Sequence, residues 1–252
     1  MESDPFAALL QADQGSRGKL YETAYNHPGR KALPDDILPD ASRLPKIHAR
    51  RARRLSLFKQ VMGTPAGPVL EIGCGTGDLT VLMAQNASKV VAIDLSSQQL
   101  KLARTRAALD PAIAGRIEFL RMNAIRLELL DETFEFAAST SMIEHLHPED
   151  VDIHLKEVCR VLKPGGRYLV WCPNRLGHHQ DRPFHLCMMS YQDLKVRMMA
   201  AGFTSFQSPL LQGLPLVSTS FKTRMESMLS ALHITILWSH LGVRNVMIVA
   251  RK

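Results

Sequence analysis

At residues 69–80 the chain reads Val69-Leu-Glu-Ile-Gly-Cys-Gly-Thr-Gly-Asp-Leu-Thr80. The apolar start predicts a short strand that ends at Gly73, and the glycines at positions 73, 75 and 77 lead directly into a predicted helix. Glycine at such a turn lets a ligand approach the backbone closely. A dinucleotide site would have a glycine at position 78, where this chain has Asp78, whose carboxylate would repel a pyrophosphate. The segment therefore predicts a strand–turn–helix site for a ligand that carries a positive charge.

A second predicted strand, Val90–Ile93, ends beside another carboxylate, Asp94. After the second strand of a βαβ unit, a carboxylate is typical of a group that binds both hydroxyls of a ribose. Adenosine without a pyrophosphate, joined to a cationic amino acid, describes S-adenosylmethionine. The glycine turn alone is also compatible with a tight strand–helix connection that binds nothing, but together with Asp94 it predicts this cofactor.

The rest of the chain alternates short Val- and Ile-rich runs with helical stretches. The predicted strands are Pro68–Ile72, Val90–Ile93, Ile117–Leu120, Phe134–Ala138, Arg167–Trp171, Phe203–Phe206 and Val246–Ala250. The predicted helices are Asp78–Gln85, Gln98–Ala108, Glu149–Leu162 and Tyr191–Ala201, with one or two more within Ser218–Leu241. This alternation favours an α/β fold, in which a mostly parallel sheet carries helices on both faces.

Composition and charge restrict the class of protein. The chain is 46% hydrophobic and 22% charged, which is typical of a globular protein and excludes a disordered or collagen-like one. It contains no uninterrupted apolar run long enough to span a membrane and no basic leader segment at its start. Four cysteines form no CxxC pair and no zinc spacing, so we assign no metal site and expect a cytoplasmic location.

The net charge of +7 is concentrated in one segment. Seven basic residues and no acidic residue lie between Arg43 and Lys59. Such a patch is compatible with an anionic partner, or with the solvated face of a helix whose apolar side, including Leu55 and Phe58, packs on the core. The sequence leaves both interpretations open.

These motifs resemble those of the class I S-adenosylmethionine-dependent methyltransferases, and the resemblance covers residues 57–252. Besides the glycine turn and Asp94, the segment Arg160-Val-Leu-Lys-Pro-Gly-Gly166 resembles the family's turn before the fifth strand, and residues 185–203 resemble its segment before the sixth. The resemblance implies a Rossmann-like seven-stranded sheet whose last strand is antiparallel. It also implies a helical N-terminal cap at residues 1–65 and a methyltransferase domain at residues 66–252, with a cap insert at about 207–243.

The resemblance also implies which residues hold the cofactor. Gly73, Gly75 and Gly77 would surround its methionine part, and Glu71 would help to bind the ammonium group. Asp94 would bind the ribose, Leu95 would pack on the adenine, and Ala124 would offer its backbone amide to the ring. Asn123 and Ser139 are the other residues expected to bind the cofactor. Asn123 departs from the family pattern, which has an aspartate, but its oxygen can still accept a hydrogen bond from the adenine amine.

The acceptor is expected at the carboxyl ends of the strands, beside the loop that follows the fourth strand. His145 in this loop is the candidate general base, because an imidazole titrates near neutrality; the alternative is a structural histidine bonded to backbone. Glu144 and His145 also resemble part of a Glu-x-x-Glu-His element that holds a divalent ion in ubiquinone O-methyltransferases and small-RNA 2′-O-methyltransferases. Ser141 replaces the first acid of that element, and His185 could complete a weaker site. His178 and His179 are further candidates for lining the acceptor pocket.

We therefore predict a methyltransferase enzyme that transfers a methyl group to an oxygen or nitrogen of a small-molecule acceptor, hydrophobic or anionic. One alternative is an RNA methyltransferase that uses the basic segment at residues 43–59, although no nucleic-acid-binding module is recognisable. Another is a non-catalytic binding protein with the methyltransferase fold. The sequence does not define the oligomeric state.

Overall fold

The computed structural model describes residues 5–26, 55–175, 184–208 and 245–252. Within these ranges seven strands form one sheet in the order β3-β2-β1-β4-β5-β7-β6. The strands are β1 (Val69–Ile72), β2 (Val90–Asp94), β3 (Ile117–Arg121), β4 (Phe134–Thr140), β5 (Leu162–Pro173), β6 (Ser205–Gln207) and β7 (Asn245–Arg251). Strands β1 to β5 pair in parallel, whereas β7 is antiparallel to both β5 and β6. The predicted mixed sheet with an antiparallel last strand is confirmed.

Helices connect the strands. The described helices are α1 (Pro5–Gln11), α2 (Gln14–Asn26), α3 (residues 55–62), α4 (Asp78–Ala84), α5 (Ser97–Ala107), α6 (Pro111–Ala114), α7 (Pro148–Val161) and α8 (Tyr191–Ala200). A single 3₁₀ turn, Ile143–His145, lies between β4 and α7. Local capping defines several starts: the Ser96 hydroxyl accepts from the amide of Gln99, and Ser190 and Asp193 form a reciprocal capping box at α8.

Helices cover both faces of the sheet, because alternate residues of each strand point to opposite sides. Leu70 and Ile72 of β1 belong to a buried cluster with apolar residues of α7 and α8. Val69 belongs to a different buried cluster, with residues of α3 and α4 that include Phe58 and Met83. The α/β prediction with helices on both faces is therefore confirmed.

The two largest differences from the sequence prediction concern the start of β5 and a short helix. Strand β5 begins at Leu162 rather than Arg167, because Leu162 already pairs with Phe134 before a register shift in the ladder. Helix α6 was not predicted; it is a single turn that begins after Asp110, whose side chain accepts from the Ala112 amide.

Some sequence predictions fall outside the described residues. These are most of the insert at about 207–243 with its helices, and the basic segment apart from Lys59 and its neighbours. The boundary between a cap at residues 1–65 and a domain at 66–252 stays a prediction. None of the helices in the described ranges is long and apolar enough to cross a membrane.

The strand order indicates where a ligand would bind at the edge of the sheet. Sheet order reverses between β1 and β4, since chain connections leave β1 towards β2 and β3 on one side and reach β4 and β5 on the other. In open α/β sheets ligands bind outside the carboxyl ends of the strands at this reversal. The glycine turn after β1 and the loop after β4 both lie there.

Candidate functional site

The glycine turn is fixed to the end of the neighbouring strand. The amides of Gly73 and Cys74 donate to the Ile93 carbonyl at 2.8 and 3.0 Å. Gly73, Gly75 and Gly77 all have left-handed φ angles, of 73°, 52° and 82°. The turn is therefore held at the carboxyl ends of β1 and β2 in a conformation that favours glycine.

The three glycines have different surroundings. A Cβ on Gly73 would lie 2.5 Å from Cγ of Met142, and a Cβ on Gly77 would lie 3.1 Å from Cα of Ala103 in α5. A Cβ on Gly75 would meet nothing within 4 Å. Gly73 and Gly77 thus permit close packing by the protein itself, whereas Gly75 borders open space of the kind that a ligand in the crevice requires.

Asp94 lies directly beside this turn. Its Oδ2 atom accepts from the Gly75 amide at 2.9 Å, and its Oδ1 atom accepts from the Ser96 amide at 2.8 Å. The side chain is half-buried at the end of β2. A carboxylate can accept about four hydrogen bonds, so Asp94 can orient the turn and accept bonds from ligand hydroxyls at the same time.

Glu71 lies inside the sheet next to the turn. It is 1% exposed, and the hydroxyl of Thr80 in α4 donates to its Oε2 atom. A buried carboxylate needs hydrogen-bond donors or a cation nearby, and Thr80 supplies one donor. The expected contact of Glu71 with an ammonium group stays a prediction.

Asp78, the carboxylate expected to repel a pyrophosphate, forms an ion pair within the protein. Arg106 of α5 donates to the Asp78 carboxylate and also to the backbone oxygen and hydroxyl of Thr76, at 2.8 and 2.9 Å. Arg106 was not singled out from the sequence, because nothing in its local pattern connects it with the glycine turn. It neutralises the charge that distinguishes this turn from a dinucleotide site.

Two of the expected adenine-side residues, Asn123 and Ala124, lie on the segment after β3, and Leu95 directly follows β2. The Met122 amide donates to the Asp94 carbonyl at 3.2 Å, which places this segment beside Asp94. Asn123 Oδ1 accepts from the Ile125 amide at 3.1 Å, so its amide group is oriented by a local turn. Ala124 and Leu95 are half-buried at the same edge of the sheet. The assigned contacts of these residues with adenine stay predictions.

Ser139 faces the interior of the protein. It is fully buried near the end of β4, and its hydroxyl lies 2.7 Å from the hydroxyl of Tyr168 in β5. Two residues later, Ser141 has a positive φ of 50°, an uncommon conformation for a residue with a side chain. The backbone turns sharply there and directs the following Met142 onto Gly73. Any contact of Ser139 with the cofactor stays a prediction.

The loop after β4 contains a buried acid that lies close to two histidines, one in the same loop and one in the segment before α8. Ligand atoms of Glu144, His145 and His185 all lie within 4.8 Å of one another. Both carboxyl oxygens of Glu144 lack a hydrogen-bond partner among the described residues, and burial raises the pKa of Glu144 to about 8. The cluster therefore joins the three residues that sequence resemblance associated with a metal.

His145 has a defined orientation. Its Nδ1 atom lies 2.7 Å from the Phe184 carbonyl oxygen, which can only accept, so Nδ1 is the donor and, in the neutral ring, Nε2 carries the lone pair. Nε2 lies 4.0 Å from Glu144 Oε1. The rings of Tyr25, Phe184 and His185 surround His145, with centroid distances of 6.2, 5.7 and 5.2 Å. His178 and His179 lie outside the described residues.

Helix α2 crosses above this crevice. A Cβ on Gly18 would lie 3.9 Å from the side-chain nitrogen of Asn123, and Tyr25 contacts His145 at the other end of the helix. The helix thus extends from the segment after β3 to the loop after β4. Tyr21 and Tyr25 both take part in this packing, Tyr21 through its hydroxyl and Tyr25 through its ring.

The position of α2 is fixed by a buried ion pair that the sequence analysis missed. Arg17 donates to both carboxyl oxygens of Asp150 at the start of α7, and the Tyr21 hydroxyl donates to the same carboxylate at 2.9 Å. The His147 amide in turn donates to the Tyr21 oxygen. The N-terminal helix and the loop after β4 are therefore one connected unit.

Comparison with known proteins was made from both sequence and structure. Residues 69–166 match the family model described as "Methyltransferase domain". A "Probable S-adenosylmethionine-dependent methyltransferase" of Mycolicibacterium smegmatis is 31% identical over 187 residues, which cover 68% of each chain. The "Ubiquinone/menaquinone biosynthesis C-methyltransferase UbiE" of Ectopseudomonas mendocina is 37% identical over 110 residues, covering 42% of this chain and 41% of that protein.

Among solved structures, geranyl diphosphate C-methyltransferase from Streptomyces coelicolor, crystallised with Mg²⁺, geranyl diphosphate and S-adenosyl-L-homocysteine, has the same fold. The TM-score is 0.60 over 84% of this chain and 86% of that chain, at 16% sequence identity. The alignments with the first curated relatives span less than half of those proteins' length.

Proposed function

Because this chain belongs to the S-adenosylmethionine-dependent methyltransferases, we propose that it transfers a methyl group from S-adenosylmethionine to a small-molecule acceptor. The observation that carries the proposal is the contact between Asp94 and the glycine turn. A carboxylate bonded to the Gly75 amide at 2.9 Å, at the reversal of strand order, is suited to a nucleoside without a pyrophosphate. The open space beside Gly75 is compatible with a bound ligand chain.

The described residues fit the cofactor. Asp94 would accept from the ribose hydroxyls, Glu71 would supply negative charge near the ammonium, and the segment from Asn123 to Ala124 would border the adenine. The cofactor supplies the methyl group as an electrophile on a sulfonium. The chain has to orient the acceptor nucleophile in line with the methyl–sulfur bond and to exclude water.

The loop after β4 is where the acceptor would react. In the neutral ring, Nε2 is the basic atom of His145, and it lies 4.0 Å from Oε1 of Glu144, a carboxyl group whose pKa burial raises to about 8. An imidazole in this state can accept the proton that an acceptor hydroxyl loses as its oxygen bonds to the methyl carbon. His145 is therefore our candidate general base.

A planar, hydroxylated ring is the acceptor class that we favour. Rings of Tyr25, His145, Phe184 and His185 lie together at the crevice, and such a group of aromatic side chains is suited to a flat apolar acceptor. The relative named for ubiquinone and menaquinone biosynthesis supports the same class, and its name specifies transfer to carbon.

The first experiment is a pair of measurements on the purified protein. Isothermal calorimetry should detect one site for S-adenosylhomocysteine, and radiolabelled S-adenosylmethionine should transfer its methyl group to a panel of catechols and hydroxyquinones. Failure to bind S-adenosylhomocysteine would contradict the proposal. Binding without transfer to any small molecule would favour the non-catalytic alternative, and salt-dependent transfer to RNA would favour the RNA alternative.

A divalent cation is an alternative use of the same residues, because His145 Nε2 cannot ligate a metal and accept a proton at the same time. One carboxylate and two imidazoles within 4.8 Å form a suitable ligand set, and metal-binding histidines commonly donate their other N–H to a carbonyl, as His145 does to Phe184. An ion held by Glu144, His145 and His185 would orient acceptor oxygens. Calorimetric titration with Mg²⁺, Mn²⁺ and Zn²⁺ should then detect a site that is lost in Glu144→Gln, and absence of binding by the unmodified protein would exclude it.

The cytoplasm is the compartment that we propose. The four cysteines are all unbridged and buried. Unbridged thiols are typical of a reducing compartment.

A further inference from the structure

A buried chain of hydrogen bonds begins at the segment after β3 and ends in β4. His154 in α7 is fully buried, with Nδ1 2.9 Å from the Ala124 carbonyl oxygen and Nε2 2.8 Å from the Tyr168 hydroxyl. The Tyr168 hydroxyl also lies 2.7 Å from Ser139 Oγ. Four groups on four elements are therefore connected without water.

The donors and acceptors in this chain have one consistent arrangement. A carbonyl oxygen can only accept, so Nδ1 of His154 donates to Ala124. Burial lowers the pKa of His154 to about 4, so the ring is neutral near pH 7 and its Nε2 atom accepts from Tyr168. Tyr168 then has no proton left for Ser139, whose hydroxyl must donate to Tyr168. The histidine ring is held in one tautomer and one orientation.

The segment that receives this bond is held from two other directions. The Met122 amide donates to the Asp94 carbonyl at 3.2 Å, and the Ile125 amide donates to Asn123 Oδ1 at 3.1 Å. The Ile125 amide and the Ala124 carbonyl belong to the same peptide unit, so the bond to Asn123 restrains this unit at its N–H end. His154 of α7 restrains the same unit at its carbonyl end, so the segment is held at both ends of this peptide.

We propose that His154 is a positioning residue for purine recognition, because it orients the Ala124 segment against the base of the bound nucleoside. This inference rests on the proposed function, in which the ligand is an adenosyl group. A backbone amide that donates to N1 of adenine cannot bond in the same way to a 6-oxo purine, whose N1 atom carries a proton. His154 should therefore affect the preference for adenine over hypoxanthine, and not only the stability of the fold.

Three substitutions separate these effects. His154→Leu removes the donor to Ala124, and His154→Asn can restore it, since its side-chain N–H takes the place of Nδ1. Tyr168→Phe is the matched control, because it leaves buried groups unsatisfied while His154 keeps its bond to Ala124. Calorimetry would use S-adenosylhomocysteine and its 6-oxo (inosine) analogue, and urea unfolding would measure the stability of each variant.

We expect His154→Leu to weaken S-adenosylhomocysteine binding by roughly 5–10-fold, the effect of about one buried hydrogen bond, and the inosine analogue much less. The preference for adenine should therefore fall in this variant and recover in His154→Asn. Tyr168→Phe should lose comparable stability while keeping the wild-type preference. If His154→Leu does not fold, the double variant His154→Leu/Tyr168→Phe removes both polar partners together and is better tolerated.

An unchanged preference in the folded leucine variant, single or double, would overturn the inference. An equal change in Tyr168→Phe would overturn it too, because the effect would then follow stability rather than the Ala124 bond. If the wild-type protein binds neither ligand, the proposed function itself fails and the inference falls with it. Wild-type binding with no effect of His154 removes the inference alone.

Discussion

Arg17 and Asp150 form a two-point ion pair that is almost completely buried. Arg17 Nε lies 3.0 Å from Oδ2 and Nη2 lies 2.9 Å from Oδ1, and the residues are 2% and 0% exposed. The pair joins α2, near the N-terminus, to the first turn of α7. Since α2 contacts Asn123 and His145 at its two ends, the same pair determines how the crevice is covered.

Replacing one partner of this pair should destabilise the protein strongly. Arg17→Met leaves the Asp150 carboxylate buried without its cation, and such losses cost about 3–5 kcal/mol. Arg17→Lys keeps the charge but not the two-point geometry and should cost less. Urea unfolding of both variants measures the difference. Equal, small losses would indicate that α2 is not held by this pair.

Removing the negative charge of Asp94 should weaken cofactor binding. In Asp94→Asn the amide nitrogen would face either the Gly75 or the Ser96 amide, so one donor would oppose another. Hydrogen bonds to charged groups contribute about 1.5–3 kcal/mol, so we expect the Kd for S-adenosylhomocysteine to rise by roughly tenfold or more.

Asp110→Asn is a suitable control for that experiment. Asp110 also accepts from a backbone amide, that of Ala112, but it caps α6 away from the crevice. It should keep wild-type affinity. A similar loss in both variants would show that the effect at Asp94 is not specific to the site.

Two alanine substitutions in the glycine turn should differ in their effects: Gly77→Ala should reduce stability more, and Gly75→Ala should reduce ligand affinity more. Gly77→Ala introduces a Cβ 3.1 Å from Cα of Ala103 at a φ of 82°, so overpacking adds to backbone strain, and we expect a loss of about 2–4 kcal/mol. Gly75→Ala meets open space and should cost only about 1–2 kcal/mol of strain.

The order reverses for ligand binding. If the space beside Gly75 holds the cofactor, Gly75→Ala should weaken S-adenosylhomocysteine binding more than its small stability loss suggests. Calorimetry and urea unfolding on the same two proteins test both statements. Unchanged affinity in folded Gly75→Ala would place the ligand elsewhere.

His154 should make stability depend on pH in the acid range. Its pKa is lowered to about 4 by burial, while an unfolded histidine titrates at 6.5, so the unfolded chain binds more protons between these values. Stability linked to His154 is therefore complete above pH 6.5 and is lost as the pH falls towards 4, by about 3 kcal/mol in total. In His154→Asn this component is absent. Urea unfolding at several pH values should show the two proteins' free energies of unfolding converging as the pH falls, and a constant difference would contradict the assignment.

The fold and the cofactor end of the site could be predicted because they depend on local patterns. Gly73 and Asp94 each follow a short buried strand, and parallel pairing of β1 with β2, with Ile72 opposite Ile93, brings the two strand ends together. The strand–turn–helix periodicity and the parallel sheet are therefore sufficient to predict that Gly73 and Asp94 lie at the same edge.

The acceptor side depends on contacts between distant residues, which local patterns do not encode. Arg17 and Asp150 are 133 residues apart, and His145 reaches Phe184 across 39 residues. Helix α2 gives little signal because its buried face, at Arg17, Tyr21 and Ala24, includes a charged residue and no large aliphatic one. Arg106, which pairs with Asp78, has the same limitation: its partner is fixed by the packing of α5 on the glycine turn.

His145 offers the most direct test of the proposed chemistry. His145→Gln removes the imidazole Nε2 while leaving a side chain of similar length, and we expect kcat to fall by about 10²–10⁴, the usual contribution of a general base. Cofactor affinity should change little, because His145 lies on the acceptor side of the crevice.

His147→Gln is the matched control and should retain kcat. His147 is on the same loop, but its side chain caps α7 by accepting from the Glu149 amide. If the acceptor hydroxyl is already ionised at the assay pH, the loss should shrink as pH rises, so the pH–rate profile of the variant distinguishes a base from a structural residue. Equal rates for His145→Gln and the wild type across the whole pH range would remove His145 from the mechanism and leave its bond to Phe184 as its role.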